Sequence, residues 1–239
     1  MYFSDEQKKH IESIFSRINE LNIKNQESLW FQKLLSSNRE RILRRIVEHG
    51  TYTKYRSYFL NDMDYIHYVL SIVTILKELF NTTNTITPEY LMKLQSAIIS
   101  PIGELKLGRF REHEEEYITP QKKRQRYLSP NMIRREMENA CFAFTNTNNE
   151  WSWKILDIFN LCIWEIIQRI HPFYDGNGTI ASILVDVLLI REGYLPIDHK
   201  QLINLNFQKH WFAPGQQEPD IEFQYFCHLL LQRYIEYNY

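Results

Sequence analysis

Apolar residues recur with the spacing of amphipathic helices along most of the chain. Ser4, Asp5 and Gln7 resemble a capping box that opens a first helix. A second predicted helix runs from about residue 27 to residue 48, with Gly50 as its C-terminal stop. A third segment, DYIHYVLSIVTILKELF, is apolar on nearly all sides, which predicts a central helix.

The middle of the chain changes character twice. Thr87 and Pro88 predict a helix through Ile98, with Thr87 as its N-cap and Pro88 at its first position. The stretch IGELKLGRFR alternates in polarity, as a β-hairpin or flap does. The following run, EHEEEYITPQKKRQRY, is acidic and then basic, which favours a solvated loop, with a docking strip for a partner as the alternative.

The second half of the chain is again helical in pattern. Ser129 and Pro130 open one helix, and WSWKILDIFNLCIWEIIQRI predicts a buried helix that leads directly into HPFYDGNG. TIASILVDVLLIREG predicts another apolar helix, stopped by Gly193, and a helical segment closes the chain. Together these patterns predict an all-α fold, a helical bundle with a short β-hairpin flap.

Composition and charge narrow the possible classes of protein. With 44% hydrophobic and 24% charged residues, the 239-residue chain is an ordinary globular protein, long enough for one large core. A net charge of −1 gives no reason to expect nucleic acid or a membrane surface as a partner. The three cysteines are widely separated, which favours a reducing compartment. With neither a leader-like apolar stretch nor a membrane-length one, we expect a cytoplasmic protein, or an effector delivered into a host cytosol.

Three residues at the end of HPFYDGNG predict a site for an anion. Gly176, Asn177 and Gly178 immediately precede a helix, whose first backbone N–H groups have no partner inside the helix. These donors and the helix dipole favour phosphate, and glycine lets its oxygens approach the backbone closely. The Asn177 amide could add a side-chain donor.

Two further side chains of the loop suggest phosphoryl or nucleotidyl transfer. Asp175 is its carboxylate, and a carboxylate beside a phosphate site most often holds Mg²⁺. His171 titrates near neutral pH and can act as a general base on an attacking hydroxyl. The alternative is purely structural, because His-Pro is a common helix end and Gly-Asn-Gly a common turn.

The same residues resemble the signature of the Fic/Doc (Fido) family, HxFx(D/E)GNGRxxR. The similarity extends to ITPEYLMKLQSAI, LGRFR, LSPNMIRREMENACFAF and REGYLPI, so that it covers the chain from about Thr87 onward. The resemblance implies a Fic-type helical bundle with a flap on which a target protein docks. We expect residues 61–239 to form the Fic-like core and residues 1–60 an N-terminal helical segment, and leave the oligomeric state open.

The resemblance also implies a role for each motif residue. His171 would deprotonate a Ser, Thr or Tyr hydroxyl of the target, and Phe173 would pack the loop into the core. Asp175 would bind Mg²⁺ between the α- and β-phosphates of ATP or another nucleotide donor. The nucleotide-binding set would comprise Gly176, Asn177, Gly178, Thr179 and Ser182. The target-docking flap would comprise Leu105, Lys106, Leu107, Gly108, Arg109 and Phe110.

The chain departs from the family pattern at both arginines, which are replaced by Thr179 and Ser182. Hydrogen bonds to charged groups are worth about 1.5–3 kcal/mol each, so losing two costs ~10²–10⁴-fold in affinity or rate. Neither hydroxyl replaces a positive charge. If the pocket is otherwise conventional, restoring both arginines should strengthen ATP binding.

A second departure concerns the inhibitory helix (S/T)xxxE(G/N) of many Fic proteins. RRIVEHGTY resembles that helix, with Glu48 at the glutamate position and Arg44 where Ser or Thr belongs. Because Ser182 cannot pair with Glu48, we expect Arg44 or another basic residue to do so. The alternative is that Glu48 is a solvated residue near a helix end.

These observations leave three functional hypotheses. The first is a Fic-type transferase that moves AMP or another phosphate-linked group, such as phosphocholine or phosphate, to a target hydroxyl. The second is a catalytically degenerate Fic domain that binds a nucleotide or a protein. The third is a hydrolase that removes such a modification, with Glu48 positioning water.

Overall fold

The computed structural model describes residues 38–80, 85–103, 107–118, 124–146 and 154–192, together with Tyr194, Pro196 and a few isolated positions before residue 21. Several sequence-based predictions lie outside the described residues: the capping box at residues 4–7, the start of the second helix, Gly193 and the closing segment.

Six helices and one hairpin make up the described part of the chain. The helices are α1 (Arg39–Tyr55), α2 (Asp62–Lys77), α3 (Pro88–Ile99), α4 (Pro130–Thr145), α5 (Lys154–Phe159, continued by a π-helical segment, Asn160–Arg169) and α6 (Asn177–Arg191). Short 3₁₀ turns occupy Arg56–Tyr58, Glu78–Phe80 and Ser100–Ile102. This architecture confirms the predicted all-α fold with a short hairpin.

The centre of the bundle is α6, not α2 as the apolar pattern had predicted. Every residue of α6 from Ile180 to Ile190 is buried, and the helix packs against α1, α3 and α5. In contrast, α2 exposes Ser71 and Thr74 to solvent. Because α6 itself carries apolar side chains on all sides, the neighbouring helices can bury their own apolar faces against it.

Capping explains where α3 begins. The Thr87 hydroxyl accepts a hydrogen bond from Tyr90 N at 3.1 Å, and Pro88 occupies the first helical turn, which confirms the predicted start. Its first turn is thereby fixed next to the core.

The prediction that Gly50 stops a helix is wrong, because α1 continues through it to Tyr55. A Cβ added to Gly50 would lie 2.8 Å from Ile183 Cγ1 of α6. Glycine is therefore required here for the close approach of two helices, which overrides its tendency to end them.

The hairpin lies later in the chain than predicted. Strand β1 (Glu116–Ile118) pairs antiparallel with β2 (Arg124–Arg126), and Glu116 stands opposite Arg126, whose Nε lies 3.1 Å from Glu116 Oε1. Both strands fall in the polar run that the sequence favoured as a solvated loop. Its acidic half pairs with its basic half, and opposite charges across strands stabilise such a pair.

None of the helices in the described ranges combines the length and the apolar character needed to cross a bilayer.

Candidate active site

The loop that joins α5 to α6 begins with a strained backbone. The π-helical segment ends with a hydrogen bond from Ile170 N to Glu165 O at 2.9 Å, and His171 follows with φ of 48°. A non-glycine residue rarely adopts this left-handed conformation, which costs about 1–3 kcal/mol. The surrounding packing therefore holds His171 in place at the expense of local stability.

The His171 imidazole is oriented as a neutral base. Its Nδ1 lies 3.0 Å from Ile167 O; because a carbonyl can only accept, Nδ1 carries the proton and Nε2 keeps its lone pair. Burial lowers the pKa of His171, and the Arg111 charge adds to this, while the bond to Ile167 and the charge of Asp175 oppose it. The imidazole is therefore neutral at pH 7.

The hairpin covers this imidazole. The Tyr127 ring stacks on it with centroids 4.0 Å apart, and Glu115 Oε2 lies 3.8 Å from Nε2. The His171 side chain remains 21% exposed. A substrate hydroxyl that reaches Nε2 would therefore lie close to Glu115.

Arg111, which the sequence analysis did not single out, anchors the loop to the hairpin. It is only 1% exposed, and its guanidinium donates to His171 O at 2.8 Å, to Ile170 O at 3.1 Å and to Leu128 O. Its own N–H donates to Pro172 O at 2.9 Å. One buried arginine thus holds the carbonyls around His171; its only signal in the sequence is its place just after the flap.

The side chain of Asn177 does not face a ligand as predicted. Its Oδ1 accepts from Phe173 N at 3.0 Å and its Nδ2 donates to Phe173 O at 2.7 Å, and the residue is 2% exposed. Phe173 is fully buried against Phe110, as predicted. The side-chain amide of Asn177 therefore stabilises the loop by hydrogen bonds to the backbone of Phe173.

The backbone at the start of α6 has the features that the predicted anion site needs. Gly176 has φ of 90°, and a Cβ there would lie 2.9 Å from Ile99 Cγ2, so this position requires glycine. The first N–H groups of α6 have no acceptor inside the helix. A Cβ on Gly178 would meet no atom of the described chain within 4 Å, which leaves open space beside these donors.

Asp175 and a lysine of α1 meet beside this anion site. Asp175 Oδ1 accepts from Gly176 N at 2.6 Å and from Lys54 Nζ at 2.5 Å. Burial of Lys54 lowers its pKa, but the hydrogen bond to Asp175 and the nearby negative charges outweigh this and raise it. Lys54 is therefore a charged ammonium next to the start of α6, in a position that the sequence analysis did not identify.

Comparisons with known proteins agree with this geometry. Residues 85–189 match the model of the Fic/DOC family. This match covers less than half of the chain, and over these residues the chain resembles a Fic/DOC domain.

Solved structures extend the likeness in fold beyond the matched region. A Fic domain containing signaling protein from Bacteroides thetaiotaomicron shares the fold with a TM-score of 0.65 and 19% identity, over 95% of this chain and 92% of that one. A Fic family protein from Desulfovibrio desulfuricans matches at TM-score 0.64 and 17% identity, over 98% and 75% of the two chains. Residues 134–508 of Fic-1 from C. elegans match with a TM-score of 0.59 and 14% identity, over 94% of this chain and 72% of that one.

The match to the Fic/DOC family supports a Fic-type transferase at the level of the family, whose members generally use nucleotide donors with a metal. Mg²⁺ usually binds one or two carboxylates together with substrate phosphates. The described residues contain no cluster of three metal-binding side chains, and Asp175 Oδ1 already accepts from an ammonium. The loop thus offers a metal ion a single carboxylate, one oxygen of which is already paired with the Lys54 ammonium, and the assignment of Asp175 to Mg²⁺ stays an untested prediction.

The two arginine positions of the Fic/DOC motif differ in surroundings. Thr179 lies near the Tyr55 hydroxyl of α1. Ser182 is only 5% exposed, its hydroxyl donates to Thr179 O at 3.1 Å, and it lies 3.9 Å from where a Gly50 Cβ would stand. Arginine at position 182 would thus collide with α1, so the expected gain from restoring both arginines does not fit this packing.

The structure does not bring Glu48 to Ser182. Glu48 Oε1 accepts from Arg44 Nε at 2.7 Å, as expected for its partner, and its backbone carbonyl accepts from Tyr65 at 3.4 Å. Gly50 faces Ser182, and a separation of two residues places Glu48 about 160° away around the helix. An inhibitory role for Glu48 and Arg44 therefore stays a prediction that this geometry does not support.

The described part of the Fic/DOC flap borders an open groove. Leu105 and Lys106 lie outside the described residues, and Leu107 and Gly108 form a turn rather than a strand. Gln95 joins flap and loop, because its side chain accepts from Gly108 N at 2.7 Å and donates to Asp175 O at 3.3 Å. A groove of about 580 Å³ runs along residues 108–112 to the start of α4. Its rim carries the cations of Arg109 and Arg134.

Proposed function

We propose that this protein is a Fic-type transferase that moves AMP or another phosphate-linked group from a nucleotide donor to a Ser, Thr or Tyr hydroxyl of a target protein. The observation that carries the proposal is a neutral imidazole with an unprotonated Nε2, held on the loop that leads into the start of α6. A base and an oxyanion site on one rigid loop are the two elements that phosphoryl transfer needs.

The reaction uses these groups in sequence. His171 Nε2 takes the proton of the target hydroxyl while that oxygen bonds to the donor phosphorus. The bond from phosphorus to the leaving group breaks, and diphosphate departs when ATP is the donor. Backbone N–H groups at the start of α6 hold the phosphoryl oxygens, and Glu115, 3.8 Å from Nε2, stabilises the imidazolium that forms.

The target protein is proposed to dock along the flap groove. The backbone along residues 108–112 would favour an extended segment, and Arg109 would favour an acidic residue in it, since Arg134 already pairs with Glu89 and Glu138. The groove begins at Gly108 and ends beside Arg111, which bonds to His171 O. A segment lying in it thus approaches the loop from the hairpin side.

Labelled donors test the proposal directly. The protein is incubated with a cell extract and ATP, other nucleoside triphosphates or CDP-choline, each labelled on the transferable group. Label should appear on protein with the wild type and fall at least a hundredfold with His171→Ala, since general base catalysis contributes about 10²–10⁴-fold.

A matched control uses His67, which is exposed on α2. His67→Ala should label as the wild type does. Equal labelling by wild type and His171→Ala would remove the proposal. Binding of a nucleotide without any transfer would favour the degenerate binding module instead.

A further inference from the structure

The cation that the motif helix lacks is present on α1. We propose that Lys54 supplies the positive charge for the phosphate bound at the start of α6, and that it takes the place of a divalent metal ion. This inference rests on the proposed function, because it concerns the same phosphate site. It answers why the chain keeps Gly176–Gly178 while carrying Thr179 and Ser182 instead of cations.

The packing of α1 on α6 places Lys54 at the loop. Gly50 allows the two helices to approach until an added Cβ would lie 2.8 Å from Ile183 Cγ1. Lys54 follows Gly50 by four residues and therefore lies one turn further along the same face. Its Nζ reaches Asp175 Oδ1 at 2.5 Å, and that oxygen also accepts from Gly176 N, the residue that precedes α6. A single oxygen, Asp175 Oδ1, thus bridges the Lys54 ammonium and the N–H of Gly176 just before α6.

A buried hydroxyl beside Lys54 also points into this region. Tyr55 is fully buried, and its hydroxyl lies beside Thr179 and Lys54 without a well-aligned hydrogen bond to either. Burial raises the pKa of Tyr55, while Lys54 and Thr179 lie near enough to offset part of this rise. A buried donor without an acceptor is costly. An anion oxygen between Lys54, Thr179 and the start of α6 would supply the acceptor.

The ion pair between Lys54 and Asp175 can open at little cost. Both side chains are partly exposed, 47% and 36%, and exposed ion pairs contribute little stability. Lysine has a flexible stem and a compact charge, so it can turn from the carboxylate to a phosphate oxygen. The ammonium stays beside Asp175 as it turns, so its charge offsets the repulsion between that carboxylate and a bound phosphate without a metal ion.

Calorimetry with ATP and with inorganic pyrophosphate, in Mg²⁺ and in EDTA, tests the inference. The wild type should bind in EDTA within about threefold of its affinity in Mg²⁺. Lys54→Gln should weaken binding at least tenfold in both buffers, the effect of one hydrogen bond to a charged group, and Lys54→Arg should restore most of it. Unchanged affinity in Lys54→Gln, or binding by the wild type only in Mg²⁺, would overturn the inference.

Lys93 provides a matched control. Its Nζ lies 2.5 Å from Glu78 Oε1, and the two side chains are 52% and 38% exposed, so it forms a similar ion pair away from the loop. Lys93→Gln should bind both ligands as the wild type does. A thermal unfolding midpoint close to that of the wild type would show that each variant is folded.

The variant Asp175→Asn distinguishes a phosphate site that uses the Lys54 ammonium from one that uses a metal ion. Asparagine keeps an oxygen for Gly176 N but releases Lys54, so affinity in Mg²⁺ should stay the same or rise. If Asp175 held a metal ion, the same variant would lose affinity about tenfold or more in Mg²⁺ and not in EDTA, which would overturn the inference.

Failure of this inference can be told apart from failure of the proposed function. Binding that depends on Lys54, without any labelling of protein, would leave the phosphate site intact and remove the transferase. Labelling that depends on His171 but not on Lys54 would support the transferase and remove the role of Lys54 in binding phosphate.

Discussion

His171 combines strain, burial and an unprotonated ring nitrogen in one residue. Its φ of 48° is the sole positive value at a non-glycine position in the described chain. Its carbonyl accepts from the buried Arg111, so that the neighbouring structure enforces the conformation. Strain of this kind persists at functional sites because it aims a side chain, here Nε2, in a direction that a relaxed backbone would not give.

Glycine should be better tolerated than alanine at position 171. Glycine adopts positive φ freely, whereas alanine pays about 1 kcal/mol there, so His171→Gly should be more stable than His171→Ala by about that amount. Urea unfolding of both variants measures the difference. At His67 within α2 the order should reverse, since alanine is the better helix former by about 1 kcal/mol. The same order at both positions would show that residue 171 is not strained.

The pKa of His171 predicts a dependence of stability on pH. Burial lowers its pKa in the folded state below the ordinary 6.5, so at mildly acidic pH the unfolded chain binds more protons. Its contribution is therefore full above pH ~6.5 and lost as pH falls through the folded pKa. The groups that face the ring are Glu115, Tyr127, Arg111 and Asp175. Of these, Glu115 and Asp175 oppose the shift.

Urea midpoints between pH 5 and pH 7.5 check this prediction. Relative to His171→Asn, which does not titrate and tolerates positive φ, the wild type should lose stability toward pH 5. A constant difference between the two proteins over this range would contradict it.

At the scale of elements, sequence patterns predicted the positions of the helices better than the contacts between the elements. The cap at Thr87 is local chemistry, so it could be predicted. The role of Gly50 depends on Ile183, which lies far away in the sequence, and no local rule separates a helix stop from a close helix contact. The charged hairpin was missed for a similar reason, because Glu116 and Arg126 indicate a strand pair only once their register is known.

The contact between α1 and α6 should be sensitive to one methyl group. Gly50→Ala improves helix propensity by about 1 kcal/mol but forces a contact of 2.8 Å with Ile183 Cγ1, and such overpacking costs about 1–3 kcal/mol. We therefore expect a net loss of stability in urea unfolding. Gly178→Ala, where an added Cβ meets no atom of the described chain, is the control and should lose nothing.

A double-mutant cycle identifies the cause of that loss. Ile183→Ala removes Cγ1 and alone costs about 2–5 kcal/mol. In Gly50→Ala/Ile183→Ala the new methyl group enters the space that Ile183 leaves, so the double variant should be more stable than the sum of the two by at least ~1 kcal/mol. Additive effects would place the cost elsewhere in α1.

At the scale of the whole molecule, the Fic/DOC signature predicted the fold class and the loop, but not the origin of the charge at the loop. The motif is contiguous, so the positions of His171 and Asp175 could be inferred from it directly. Lys54 and Arg111 lie outside the motif, and only tertiary packing brings them to it. The division of the chain near residue 60 stays a prediction, although α1 shares one continuous core with the helices that follow.

This shared core predicts that the family-matched region, residues 85–189, does not fold alone. On α1 and α2, Leu43, Val47, Val69, Ile72 and Leu76 are at most 1% exposed and belong to the same cluster as α6. Removing both helices would leave the α1-facing side of α6, including Ile183, in water, although α6 has no polar face to offer solvent. A fragment of residues 85–189 should therefore lack a cooperative thermal transition and bind a hydrophobic dye, as loosely packed states do. The full chain, measured in parallel by near-UV circular dichroism, should unfold in one sharp step. A sharp transition in the fragment would show that α1 is an accessory helix, and Lys54 would then sit on an element that the fold does not require.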